Sequence, residues 1–359
     1  LVPPPRAARG SWLPVLQPTG YSTEQQVIVR DAWAVLITSV REGPLQSTEA
    51  SAARLAVVLR DLNPAAYPAD WRLRVEVFYN RFAPFAIARV LYLIAFVSLI
   101  GALTRSWRWV QVLGLGALWA GFLVHAAGIA LRGVLGGRPP VSNFFETMLW
   151  LPFVAILLAL VFERVYRAGY FGLSAALLGA LMLFLTDYVP LDSSITPVVA
   201  VLRSNLWLTV HVLTIVASYG ALGLATVLAH VYSFLYIARP GASRSFESLG
   251  LFLYRTIQVG VVLLAGGIML GAVWANASWG RYWGWDPKET WALITLLWFL
   301  AVLHGRFAGW IRGTAFALAT IGGFFLLLMT YYGVSFYLVG LHSYAGGHAK
   351  PVPPLLIAY

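Results

Sequence analysis

Residues 259–306 read VGVVLLAGGIMLGAVWANASWGRYWGWDPKETWALITLLWFLAVLHGR. Two long apolar runs enclose one short segment, Trp274 to Trp291, which carries Trp274, Trp279, Tyr282, Trp283, Trp285 and Trp291. A helix crosses the hydrocarbon core of a bilayer with roughly 20 apolar residues, so the flanking runs read as membrane spans. Aromatic rings that carry an N–H or O–H collect at membrane interfaces, usually about one or two per helix end. Six in this one segment is denser than an interfacial belt needs. Gly280 and Gly284 interrupt the segment, and Asp286-Pro287 stops it. Asp286, Lys288 and Glu289 add charges of a kind that end up buried. Together these features point to a shaped platform for a flat, apolar ligand.

The rest of the chain agrees with a membrane setting. Of its 359 residues 60% are hydrophobic and only 11% charged, which places it among polytopic membrane proteins. The net charge of +11 would favour nucleic acid in a soluble protein. Here the arginines fall between apolar runs and in the N-terminal segment, where orientation and lipid headgroups account for them. No nucleic-acid recognition motif is present, so nucleic acid is not an expected partner. Cysteine is absent, which excludes disulfides, thiolate metal sites and thiol chemistry. The sequence has no phosphate loop, HExxH, GxSxG or CxxCH motif, so it is neither an ATPase nor itself a c-type cytochrome. It opens LVPPPRAARG, without Met or a signal peptide, as a fragment or a processed product would.

Residues 1–80 read as a small soluble helical segment. Pro3–Pro5, Pro14 and Pro18 make its start irregular. Ser22 with Gln25 has the spacing of a capping box, and an amphipathic pattern follows through Ile28, Trp33 and Leu36. Further helices are expected over Ser47–Leu62 and from Asp70 to about Phe82. About eight spans follow, near 84–104, 110–132, 146–163, 169–186, 208–237, 251–274, 290–304 and 314–338. The seventh is short for a span, so it is expected to begin inside the Trp segment. The expected fold class is an all-α polytopic membrane protein with a soluble helical N-terminal segment and a Trp-rich segment on the outer face. Orientation rests on Arg-rich loops staying cytoplasmic. Arg105 and Arg108, Arg164 and Arg167, Arg239 and Arg244, and Arg306 and Arg312 mark alternate connections. The remaining loops carry Arg132 and Arg138, Arg203, and Arg281 and Lys288, so the bias is partial. It places residues 1–80, the 133–145 and 187–207 loops, the Trp segment and the 346–359 tail outside.

Six histidines are the next signal, because ionisable groups in or near spans are functional candidates. His211 lies at the outer start of the fifth span and His342 just past the outer end of the eighth, both level with the Trp segment. Two imidazoles flanking an aromatic shelf are what axial ligation of haem iron requires. Two interfacial histidines that only form hydrogen bonds are the plain alternative. His125, in the second span, is either a ligand or a bond to a neighbouring helix. His304 lies at the cytoplasmic end of the seventh span, His230 reads as structural, and His348 as a solvated residue of the tail. In GGRPPVSNFFET, Arg138 could pair with an acid, and Asn143 and Glu146 could cap the third span. Arg138, Arg281 and Lys288 could instead meet haem propionates, since Arg matches carboxylates bidentately.

The motif WANASWGRYWGWDPKETW, with LHGR after it and GLHSY further on, resembles the CcsA family of cytochrome c biogenesis proteins (System II). That family belongs to the haem-handling proteins with a tryptophan-rich WWD signature. HAAGIALRGVLGGRPPVSNFFET also resembles a family stretch, with Phe145 where the family often has Tyr. The resemblance covers about residues 76–345, so 81–345 is expected to be a haem-handling transmembrane domain. It implies a multi-pass protein of the bacterial inner membrane, or of the thylakoid membrane in plastids. It implies haem b as substrate, apocytochrome c as partner, and attachment of haem to CxxCH thiols, the activity of a holocytochrome c synthase (cytochrome c haem lyase). By resemblance the Trp segment, 274–291, holds an external haem with His211 and His342 as axial ligands, and His304 ligates a second, inner haem. This chain offers no second histidine at the depth of His304, so either a CcsB-like partner or an upstream fused region would supply it, or the inner site works differently here. Other readings are a haem exporter or chaperone without synthase activity, a haem b electron-transfer subunit, and a transporter of another apolar ligand.

Overall fold

The computed structural model describes residues 1–5, 12–105, 107–166, 170–188, 191–195, 206–239, 241 and 243–342. Arg167, Arg203, His348 and the 346–359 tail lie outside the described residues. The chain divides into two compact units, Leu1–Phe78 and Tyr79–Tyr359.

In the first unit, Ser22 opens α1 (Thr23–Glu42) with the reciprocal cap its spacing predicts. Gln25 N–H donates to the Ser22 hydroxyl, and the Ser22 N–H donates to the Gln25 side chain. Gly43 and Pro44 turn the chain into α2 (Leu45–Leu62). The hairpin is pinned where Ser39 and Ser51 hydroxyls meet at 2.6 Å and Thr48 donates to the Ser39 carbonyl. Val29, Ala32 and Leu55 are its buried apolar residues. α3 (Asp70–Phe82) follows.

The second unit is built from long apolar helices. Ala83, in a left-handed conformation at φ +44°, separates α3 from α4 (Pro84–Arg105). Then come α5 (Arg108–Gly136), α6 (Phe144–Tyr166), α7 (Tyr170–Tyr188), α8 (Leu206–Ala238), α9 (Ser243–Trp279) and α10 (Pro287–Phe307). α11 (Thr314–Leu328) continues through a π-turn, Met329–Gly333, into α12 (Val334–Tyr337). Eight stretches are long and apolar enough to cross a membrane, and no strand occurs among the described residues. The protein is an all-α polytopic membrane protein, as expected. Its seventh span begins at Pro287, inside the Trp segment.

α8 is the most enclosed helix and packs on α6, α7, α9 and α11. α10 closes a ring of four with α8, α9 and α11, while α4, α5 and α7 pack together and α7 also packs on α6 and α8. Helices in lipid gain little from the hydrophobic effect, so close backbone approach through small residues matters more. At Gly220 of α8 a Cβ would lie 2.6 Å from the Leu151 carbonyl of α6, so the two backbones touch there. The starts of α8 and α10 and the ends of α9 and α12 meet at one end of the bundle, called the Trp end below.

Candidate functional site

The Trp segment is two structures in one. Its first part is helical, because α9 runs on to Trp279 and stops at Gly280, φ +72°, whose N–H caps the Asn276 carbonyl. Its last part is the start of α10. Asp286 is the N-cap, Pro287 holds the first helical position, and Glu289 reaches back to the Asp286 N–H. Glu289 also accepts from the Gly284 N–H at 2.8 Å and pairs with Arg281 at 3.3 Å. Trp285 therefore sits in a tight turn at φ +58°, which for a bulky residue costs on the order of 1–3 kcal/mol.

This division separates the aromatic residues. Trp274 is almost wholly buried and packs against Trp279 at 4.7 Å between ring centroids. Tyr282 and Trp285 are exposed, and Trp283 meets Trp285 edge-on at 5.8 Å. The expected single shelf is thus an inner pair, Trp274 and Trp279, and an outer group, Tyr282, Trp283 and Trp285.

Both expected histidines border the inner pair. His211 stacks parallel to Trp274 at 6.2 Å, and His342 lies 5.8 Å from Trp274 and 5.1 Å from Trp279. His211 sits in a seat made by glycines of α9. Its Nδ1–H donates to the Gly267 carbonyl at 2.8 Å, and a Cβ on Gly271 would lie 2.6 Å from its Cε1. His342 donates its Nδ1–H to Asp286 Oδ1 at 2.8 Å. Desolvation works against ionising Asp286. Hydrogen bonds from His342 and from the Lys288 and Leu341 N–H groups outweigh it and hold the carboxyl down at about 2. The carboxylate is therefore an acceptor, and the proton of His342 is on Nδ1.

Both rings are thus held in one tautomer with Nε2 left for a ligand. A carbonyl or carboxylate on the other nitrogen is the usual support of a metal-bound histidine. The Trp274 indole N–H is buried without a hydrogen-bond partner among the described residues. Two fixed Nε2 donors, a spare N–H and two indole rings set edge to face suit a flat macrocycle with an axially ligated iron. No group of three or more His, Asp and Glu side chains placed to hold a metal ion occurs among the described residues.

Of the other candidates among the described residues, only Arg281 touches the inner pair. His125 is fully buried, with Nδ1 at 3.1 Å from the Tyr92 hydroxyl and the rings of Phe85 and Phe153 packed edge-on around it. Its Nδ1 meets a neighbouring helix, α4, while its buried Nε2 has no hydrogen-bond partner among the described residues. His304 is exposed near the end of α10 and donates Nδ1–H to the Leu300 carbonyl at 2.7 Å, again leaving Nε2. His230 donates likewise to Thr226. Arg138 pairs with Glu146 at 2.7 Å, and the Asn143 side chain caps the Glu146 N–H. Arg281 is held by Glu289 and lies over the Trp279 ring.

Residues 141–342, over half of the chain, match the profile of the cytochrome C assembly protein family. The chain belongs to this family. It is 36% identical over 261 residues to the cytochrome c biogenesis protein CcsA of Mesostigma viride, covering 64% of this chain and 85% of that one. With CcsA of Prochlorococcus marinus (strain NATL1A) it shares 34% over 294 residues, 70% of this chain and 92% of that one. Protein NrfI of Wolinella succinogenes is 37% identical over 301 residues, 79% of this chain. The match spans only 32% of NrfI.

Within this family member, two polar residues carry more than their sequence positions announce. Arg132, 2% exposed, bonds Glu146 at 3.1 Å and the Ser193 and Ser194 carbonyls, tying the end of α5 to the start of α6 and to the loop after α7. Lys288 donates from Nζ to the Tyr331 carbonyl at 3.1 Å and to the Ser335 hydroxyl at 2.9 Å. The signal for Asp286 was legible: Asp-Pro-Lys-Glu is an N-cap, a proline at the first helical position and a capping-box glutamate.

Proposed function

We propose that this chain binds haem b at the Trp end, between His211 and His342, and presents it for covalent attachment to the CxxCH thiols of apocytochrome c. The observation that carries the reading is the matched pair of histidines. Each has Nδ1 committed to an acceptor, and each borders the buried Trp274. Trp274 and Trp279 offer apolar faces to the macrocycle, the two Nε2 atoms offer axial donors, and the exposed Tyr282 and Trp285, with the half-buried Trp283, lie where a substrate protein would approach. The chemistry is addition. Each thiol sulfur bonds one carbon of a vinyl group and the proton goes to the other carbon, with no net oxidation. The chain contributes positioning, which can be worth roughly 7–11 kcal/mol of barrier.

The Arg-marked connections favour the Trp end as the outer, periplasmic face of a bacterial inner membrane, or the corresponding face of a thylakoid membrane. His304, exposed with Nε2 uncommitted, is a reasonable first ligand of an inner haem whose second ligand comes from a CcsB-like partner or a fused region.

The test is coexpression with an apocytochrome c in cells lacking their own synthase. Covalent haem c is expected with the wild-type chain and none with His211→Ala/His342→Ala. Haem retention by the wild type without covalent product would favour an exporter or chaperone. Unchanged haem content and spectrum in the double variant would remove the ligand assignment.

A further inference from the structure

We propose that Lys288 is a positioning residue for His342, acting through the π-turn Met329–Gly333. The inference rests on the reading of His342 as a haem ligand.

A π-turn carries one residue more than a helical turn normally holds, and such turns recur at functional sites. Here it lies five residues before Leu338, whose extended backbone starts the segment leading to His342. The Tyr331 carbonyl, at the centre of the π-turn, takes two side-chain donors: the Lys288 ammonium and the Ser335 hydroxyl at 2.8 Å. The ammonium also lies 6.0 Å from the centre of the Tyr331 ring. The same turn is fixed to α10 by Thr330, whose hydroxyl bonds the Trp291 carbonyl at 2.9 Å and meets Thr295 at 2.8 Å. From the opposite side, the Tyr331 hydroxyl meets Thr147 at 2.9 Å and its ring stacks on Phe144 at 4.8 Å. The turn is clamped between α10 and the start of α6.

Downstream of the clamp the chain has little slack. The Leu341 N–H reaches Asp286 Oδ2, and at Gly340 a Cβ would lie 2.5 Å from that same oxygen. Asp286 and Lys288, two residues apart at the start of α10, thus hold the two ends of one short path, its π-turn and its histidine. Among the described residues no carboxylate lies within salt-bridge distance of Lys288. An ammonium bonded to a carbonyl and a hydroxyl, with Asp286 acting on it only from beyond salt-bridge distance, is costly to desolvate, and an apolar side chain would pack there at less cost. What the ammonium adds is direction: it satisfies the carbonyl that fixes how α12 leaves the π-turn. With Lys288 replaced by Met, the path to His342 loosens while the Asp286 bond remains.

The test uses the full chain purified with the haem it acquires on expression, and the haem-free chain alongside. Lys288→Met is expected to retain haem about tenfold more weakly or worse, the range for support around a metal ligand. Its low-spin bis-histidine absorption should give way to a high-spin form that added imidazole restores. In the haem-free chain, hydrogen exchange over 334–342 should rise. Lys288→Arg, which keeps donors at that place, should stay near the wild type. A wild-type spectrum and exchange pattern in Lys288→Met, alongside an altered spectrum in His342→Ala, overturns the proposal and leaves the ligand reading standing. An unchanged spectrum in His342→Ala overturns both. If Lys288→Met is not recovered folded, Lys288→Leu decides by the same readouts: loss reversed by imidazole supports the proposal, and no change overturns it.

Discussion

His211 has no spare room on the side of α9. Because Gly271 faces its ring, Gly271→Ala must push the imidazole aside or move the helix. Alanine otherwise favours a helix over glycine by about 0.5–1 kcal/mol, so an effect on haem retention would be steric and not a loss of helix. We expect Gly271→Ala to weaken haem retention about tenfold, by the same reasoning as for other supports of a metal ligand. Gly266→Ala, where a Cβ meets nothing within 4 Å, should leave it unchanged. Spectral titration of the two purified variants distinguishes them. The histidines and tryptophans of this site were legible because polar groups are rare in apolar sequence and so stand out. Their supports were not. The Gly267 carbonyl is backbone, 56 residues from His211, and backbone acceptors leave no trace in sequence. Arg132 read as one more charge at a helix end, because its partners Ser193 and Ser194 come from a distant loop.

At the level of helices, the start of α6 is the joint that the sequence hinted at through Arg138, Asn143 and Glu146. Glu146 accepts from Arg132, Arg138 and the Ser142 N–H, with its side chain 2% exposed. An exposed pair such as Arg60–Asp70 contributes about 0–1 kcal/mol. Removing one partner from a buried pair costs roughly 3–5 kcal/mol, because a charge is left without compensation. Glu146→Gln should therefore lower the thermal stability of the detergent-extracted protein clearly, while Asp70→Asn should change it little. The spans themselves followed from apolar length. Their ends did not: the sixth span was expected to end near 274, but its helix α9 continues to Trp279, because Ala275 and Ala277 favour a helix past the apolar run until Gly280 breaks it. The π-turn was invisible, since residues 314–338 carry no charge and only scattered hydroxyls, and a one-residue bulge does not disturb a pattern that has no polar face.

For the molecule as a whole, the fold class was readable from composition and span count, whereas orientation was only partly so because arginines occur on both sets of loops. The absence of cysteine provides a clean test. Single cysteines at the exposed Ala277 and Ala308 lie at opposite ends of the bundle, near the ends of α9 and α10. An impermeant thiol reagent added to intact spheroplasts should label Ala277→Cys, and label Ala308→Cys only after the membrane is opened. The reverse pattern would invert the proposed topology. Separately, the site joins the first turns of α8 to a residue beyond α12, with four spans between them. A chain emerging from the ribosome therefore holds His211 in the membrane long before His342 exists. On the proposed reading of these two histidines as ligands, two-sided capture of haem iron must wait until the last of these spans has been inserted, so the order of synthesis itself would guard an unfinished chain against trapping haem.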